Sequence, residues 1–268
     1  VKKTLPASAI LIAILAAHAA FAQNNEPPSA EQIKSWPFEA RAQYFAGRFL
    51  DNLPNFIVME KVQRFAREQQ NWKATDQLEI ERTYSHATGD RLKLLRRNGK
   101  PVISEYEKID GASSIGEFGA IMALLFRAQF SKPREESFRD RRTMVFDFKI
   151  PQPVANYVLT DKTSGRKTNT GLEGTVWIDE ETAHILRIEY AATNIPQEFP
   201  LTMAEHAVEY DEVKVNNKIY FLPVSSEFIV GSDITRSYSR NLVEFRNYQI
   251  FETKVKVLPE EDAPAKKP

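Results

Sequence analysis

The stretch GTVWIDEETAHILRIEY (174–190) decides the fold. An apolar run ends at Ile178 and Asp179, and an acidic turn with Thr182 follows. Leu186, Ile188 and Tyr190 then alternate with Arg187 and Glu189. Alternation with a period of two marks a half-buried strand, so the segment predicts two strands joined by a tight turn. The same period recurs on either side. Met144, Phe146, Phe148 and Ile150 alternate with Val145, Asp147 and Lys149, while Leu78, Ile80 and Tyr84 alternate with Glu79, Glu81 and Thr83. Thr-Gly-Asp at 88–90 and Asn-Gly-Lys at 98–100 frame a further strand, and Asn-Asn-Lys at 216–218 reads as a hairpin turn. Phe56 to Ala66, Glu205 to Val215, Lys218 to Val230 and Ile234 to Val257 complete the strand-like segments.

Only two segments carry the helical period. Phe38, Ala42, Phe45, Phe49 and Leu53 form one apolar stripe that Pro54 terminates. Ser114 to Glu117 has a capping-box pattern, and Phe118, Ile121, Met122, Leu124, Leu125 and Phe126 follow it as a broad apolar helix face. The order of helix, strands, helix and a long meander excludes a doubly wound α/β fold. One strand face is apolar and the other charged, so the sheet must cover one side, and the helices are the obvious cover. The expected fold is mainly β: a curved, incompletely closed antiparallel half-barrel covered by two or so α-helices. Helices that fit loosely over its mouth would leave an apolar cavity.

The chain of 268 residues divides into a signal peptide (1–22), a flexible leader (23–36), one half-barrel domain (37–258) and a disordered tail (259–268). Lys2 and Lys3, an apolar segment and Ala20-Phe21-Ala22 are the three parts of a cleavable secretory signal. The apolar run Ile10 to Ala17 has eight residues, against the roughly 20 that a membrane span needs. No later apolar run is longer than that from Ala120 to Phe126, so no integral membrane segment is expected after cleavage. Val1 in place of Met reads as an alternative start codon and points to a bacterial source. The expected location is the periplasm, with the extracellular medium as the other destination of an exported chain.

The chain has no cysteine, which removes disulfides, thiolate catalysis and a lipidated N-terminal Cys. With 36 basic and 36 acidic residues, loss of Lys2 and Lys3 leaves a net charge near −2. That balance argues against nucleic acid as a partner. Arg139, Arg141 and Arg142, like Arg96 and Arg97, read as solvated strand faces.

A serine hydrolase would need a base from His86, His184 or His206, and none lies in a nucleophile or base motif. His86 and His184 border turns and read as surface residues. His206 shares a strand face with Val208 and Tyr210, with Glu205 and Glu209 on the other. No ligand spacing marks a metal site, and Gly111, Gly116 and Gly119 lack the Lys of a phosphate loop. Paired carboxylates at Glu180 and Glu181 lie in a turn, and a glycosidase needs two held across a cleft. No catalytic residue, metal or cofactor is expected.

Residues 174–190, with the signal peptide, the first helix and the β meander around them, resemble the bacterial outer-membrane lipoprotein-sorting family. Its members include the periplasmic carrier LolA and, more loosely, the regulator RseB. The resemblance implies an open half-barrel closed by helices that holds acyl chains without chemistry. The chain is longer than the compact carrier at its leader and in its last strands. Inward-facing apolar and aromatic positions then become candidates for lining the cavity: Ile80, Phe118, Met122, Phe126, Phe146, Phe148, Ile188 and Tyr190. Arg82 falls on the face of Ile80 and has two readings. Either it points inward to a ligand head group or lid carbonyls, or the alternation breaks and it is exposed. The expected partner is a lipid, acyl chain or lipoprotein. A sensor or interaction module of the same fold, recognising an envelope protein without stable lipid, is the alternative; a secreted hydrolase is the third.

Overall fold

A computed structural model describes residues 27–68, 71–103, 109 and 118–251. The predicted signal peptide, the start of the predicted leader, the capping-box pattern at 114–117 and the predicted tail lie outside these residues. Two helices open the described chain. α1 (Ala30–Lys34) falls within the predicted leader and starts at a reciprocal capping box between Ser29 and Gln32. α2 (Phe38–Asn52) ends where Leu53 leaves helical geometry ahead of Pro54, as the stripe predicts.

The strands follow: β1 (Phe56–Glu68), β2 (Asn71–Ser85), β3 (Gly89–Arg97) and β4 (Lys100–Pro101). After α3 (Ala120–Leu125) come β5 (Gln129–Phe130), β6 (Arg134–Phe138) and β7 (Arg141–Ile150). α4 (Gln152–Ala155) leads into β8 (Tyr157–Thr160) and β9 (Lys167–Asp179). The last four are β10 (Ile185–Thr193), β11 (Met203–Val215), β12 (Lys218–Ser232) and β13 (Ser237–Ile250). They form one antiparallel sheet in the order β4-β3-β2-β1-β13-β12-β11-β10-β9-β7-β5, with β6 on β7 and β8 on β9. β4 and β5 stand at opposite ends of that order, so the sheet does not close. Register shifts at Ile57/Met59, Arg64/Phe65, Glu79/Ile80 and Glu209/Tyr210 interrupt the ladders, and such bulges bend and twist long strands. This is the mainly antiparallel, incompletely closed half-barrel with few helices that the alternation predicts.

Among the described residues the apolar core forms two large clusters and a small one of Leu159, Phe199 and Ala204. In the first, Ala42, Ala46, Ile121, Met122 and Leu125 from α2 and α3 pack on Phe146, Phe148, Val176, Ile188, Tyr190 and Tyr210. In the second, Leu53 joins Phe56, Val58, Val62, Leu78, Ile80, Leu222 and Phe245 around the β1–β13 seam. α2 runs across the first sheet region: Phe38 stacks on Phe146 (6.3 Å) and Phe49 meets Tyr210 edge-on (5.7 Å).

The second helix is shorter than its apolar run. Gly119, at its N-cap, has φ +132°, which a side chain rarely adopts and which no helix continues through. Phe118 is therefore not part of the face shared by Ile121, Met122 and Leu125. It packs instead in the second cluster, 4.7 Å from Phe56 and 5.3 Å from Phe245. Phe126 caps the other end.

Candidate functional site

Two recesses lie between α2 and the sheet. The first, of about 360 Å³, has Tyr44, Arg48 and Asn52 along one side of α2, with His184, Ile185, Tyr220 and Phe221 from the sheet opposite. The second, of about 60 Å³, is almost wholly apolar: Ala42, Leu125, Phe126, Phe130, Phe146 and Val176 contribute, and Glu39 stands at it. Ala42 and Ala46 on α2 are buried, and Ala46 lines both recesses. Phe126 and Phe130, 47% and 42% exposed, form an apolar rim beside the second.

Met122, Phe126 and Phe146 come together at the second recess, with Met122 reaching the first as well. Phe148, Ile188 and Tyr190 are buried in the same cluster as part of the sheet floor. Ile80, Arg82 and Phe118 sit apart from both recesses, in the second cluster. Tyr44, Arg48, Asn52 and Phe130 also line the recesses, although the sequence reading did not single them out. The four-residue spacing of the first three along α2 was the signal available for them.

Arg82 is not exposed, so the strand alternation does not break there. Its side chain is buried and bonds Glu60, with Asp90 at 3.1 Å, and its guanidinium lies 5.3 Å over the Phe118 ring. These neighbours are carboxylates and an aromatic face. Glu60 shares the inner face of β1 with Phe56, Val58 and Val62, so this pair is a buried charge set within an apolar wall.

The histidines differ in surroundings. His86 is exposed, its Nε2 2.6 Å from the carbonyl of Leu53. His206 is buried, with Nδ1 2.6 Å from the Tyr190 hydroxyl. His184 is half-buried rather than a plain surface residue, with Phe45 of α2 edge-on at 4.9 Å and Phe221 stacked at 4.7 Å. Burial holds its pKa below the ordinary histidine value, against the raising influence of Asp179 and Glu212. No group of three or more His, Asp or Glu able to hold a metal occurs among the described residues.

The acidic turn has a structural task. Asp179 Oδ1 accepts from the Thr182 N–H (2.7 Å), the Glu181 N–H (3.0 Å) and the Thr182 hydroxyl (3.0 Å). This closure lets Ala183 take φ +59° and sends β10 back along β9. Asp161 closes the turn before β9 through the Ser164 and Thr163 N–H groups, in the same manner. The turn also receives α2, since Arg41 donates to the Glu181 carbonyl at 2.7 Å.

No family model and no curated protein sequence matches the chain. Solved structures similar to it include the following. A LolA superfamily protein from Nitrosomonas europaea has 8% identity and a TM-score of 0.41, covering 78% of this chain and 94% of that one. A DUF1329 family protein from Desulfovibrio piger has 10% identity and a TM-score of 0.36, covering 80% and 93%. MucB, in complex with MucA(peri), has 8% identity and a TM-score of 0.21, covering 79% and 98%. The likeness to the lipoprotein-sorting family is therefore remote, and at these scores nothing about ligands or partners passes from those proteins to this chain.

Proposed function

We propose that this is an exported envelope protein that binds an acyl chain, lipid or lipoprotein beneath α2 and α3, without catalysis. The observation that carries the reading is the pair of recesses on the inner face, one of them apolar with Phe126 and Phe130 exposed at its rim. A ligand pocket typically measures about 300–1,000 Å³ and is mostly apolar with a few polar groups, and the recess beside Arg48 reaches that range. Outer-membrane lipoprotein sorting is the role the resemblance at 174–190 implies, and a periplasmic site follows from the signal-like N-terminus. Met122, Phe126 and Phe146 would touch the ligand; Phe148, Ile188 and Tyr190 would form its floor. Ile80, Arg82 and Phe118 would set the position of the segment entering α3.

The test is to purify the exported protein, extract it for lipid, and compare native masses before and after extraction. A fluorescent fatty-acid displacement assay then measures affinity. Co-purified lipid and saturable displacement are expected; a native mass equal to the bare chain together with no displacement would defeat the reading. The exposed rim of Phe126 and Phe130 favours a second reading, an interaction module that seats an apolar segment of an envelope protein. Capture of a defined envelope partner by lipid-free protein, lost on Phe126→Asp, would support it.

A further inference from the structure

Three residues, Ala46, Met122 and Ile185, line both recesses and so form the partition between them. They differ in how readily they can yield. Ala46 has no side chain to turn aside, and Ile185 is β-branched and set in β10, where χ1 is stiff. Met122 is unbranched, with three rotatable bonds, on a helix of only six residues. It borders a recess on either side, although the residue is itself only 1% exposed.

The charges at the two ends are opposite. Among the described residues lining the larger recess, Arg48 is the one with a permanent charge; Glu39 is its counterpart at the smaller. The two are nine residue steps apart, about 13 Å along the axis of α2. The full charge on Arg48 outweighs the roughly half charge of opposite sign at the helix C-terminus.

Resting on the acyl-binding reading, we infer that Met122 is a movable partition whose rotation joins the recesses into one channel. That channel takes a single-chain anionic amphiphile with its head at Arg48 and its tail towards Phe126. Glu39 repels a negative head from the opposite mouth, so the ligand enters in one orientation. A short chain fits the larger recess alone, whereas a long one must displace Met122. The head group can be a carboxylate or a phosphate, since Arg48 serves either.

Displacement assays on the full protein with palmitate, hexadecanol, octanoate and lysophosphatidylglycerol test this. Palmitate should bind about three- to tenfold tighter than hexadecanol, and Arg48→Glu should abolish that difference. Tighter binding of lysophosphatidylglycerol than of palmitate would identify the phosphate head as preferred. Ala46→Leu, which thickens the partition, should weaken palmitate about tenfold and leave octanoate within about twofold, the size of one or two buried methylenes. Met122→Ala should strengthen palmitate and leave octanoate unchanged, and it decides the matter if Ala46→Leu does not fold. Palmitate affinity indifferent to Met122→Ala overturns the partition, and indifference to Arg48→Glu overturns the head-group assignment. Both of those failures leave acyl binding itself intact. Failure of the unmodified protein to bind any of the four ligands overturns the acyl-binding reading and this inference together.

Discussion

Arg82 and Glu60 show what a single buried side chain asks of its neighbours. Taking two charges out of water is costly, and removing one partner leaves the other uncompensated, typically at about 3–5 kcal/mol. Arg82→Met should therefore lower the denaturation midpoint strongly, while Glu60→Leu combined with Arg82→Met should recover most of the loss. Equal midpoints for the single and double variants would contradict the pairing. His184 carries a pH dependence of definite sign. Its folded pKa is depressed below the ordinary 6.5, so the unfolded chain takes up the proton first as pH falls. Stability should be full above that value and decline as pH drops through 6.5 towards the folded pKa, because the imidazolium must be forced between Phe45 and Phe221. Thermal melts from pH 8 to 5 should show this decline, and His184→Phe should make it shallower. Single positions were read unevenly from sequence. The inner positions Leu78 and Ile80 were legible from alternation, whereas Arg82 was left with two readings because an arginine is ordinarily exposed. Glu60 was not legible, because which residue faces Arg82 depends on the β1–β2 register that one strand alone does not fix. His184 was read as a surface residue because the helix that packs on it is more than 130 residues earlier in the chain.

At the scale of elements, long alternating strands were legible and short ones were not. β6 (REESF) and β8 (YVLT) have mostly exposed positions and little apolar alternation, so only their partners β7 and β9 reveal them. α2 was fully legible because its stripe and its stop signal agree. α3 was overextended because an apolar run says nothing about the backbone of Gly119. The recesses were illegible for a related reason: Ala42 and Ala46 border them, and small residues carry no functional signal. Glycine has a second structural use at Gly174, where β9 and β10 come unusually close. A Cβ there would lie 2.0 Å from the Glu189 carbonyl oxygen and 2.8 Å from the Tyr190 Cα, both backbone atoms that cannot turn away. Gly174→Ala should cost about 1–3 kcal/mol by forcing the strands apart. It should also increase hydrogen exchange along 174–178 and 185–190; an unchanged exchange pattern would count against so tight an approach.

Across the whole molecule, the described part of the chain enters and leaves its sheet at the same place. β1 and β13 are neighbours near the middle of the strand order, Phe56 pairs with Ile250, and the Phe251 N–H donates to the Asn55 carbonyl at 3.1 Å. A pull applied between the two ends would load that ladder one hydrogen bond at a time, as a zip is opened, rather than shearing many bonds together. α2 lies ahead of β1 on the same line of force and is held to the sheet mainly by side-chain contacts. It should peel away first. A molecule stretched by its ends in optical tweezers is thus expected to yield in two steps, a small extension as α2 lifts and a larger one as β1 and β13 part. The order of those steps would make the covered inner face accessible under tension while the sheet beneath it is still whole.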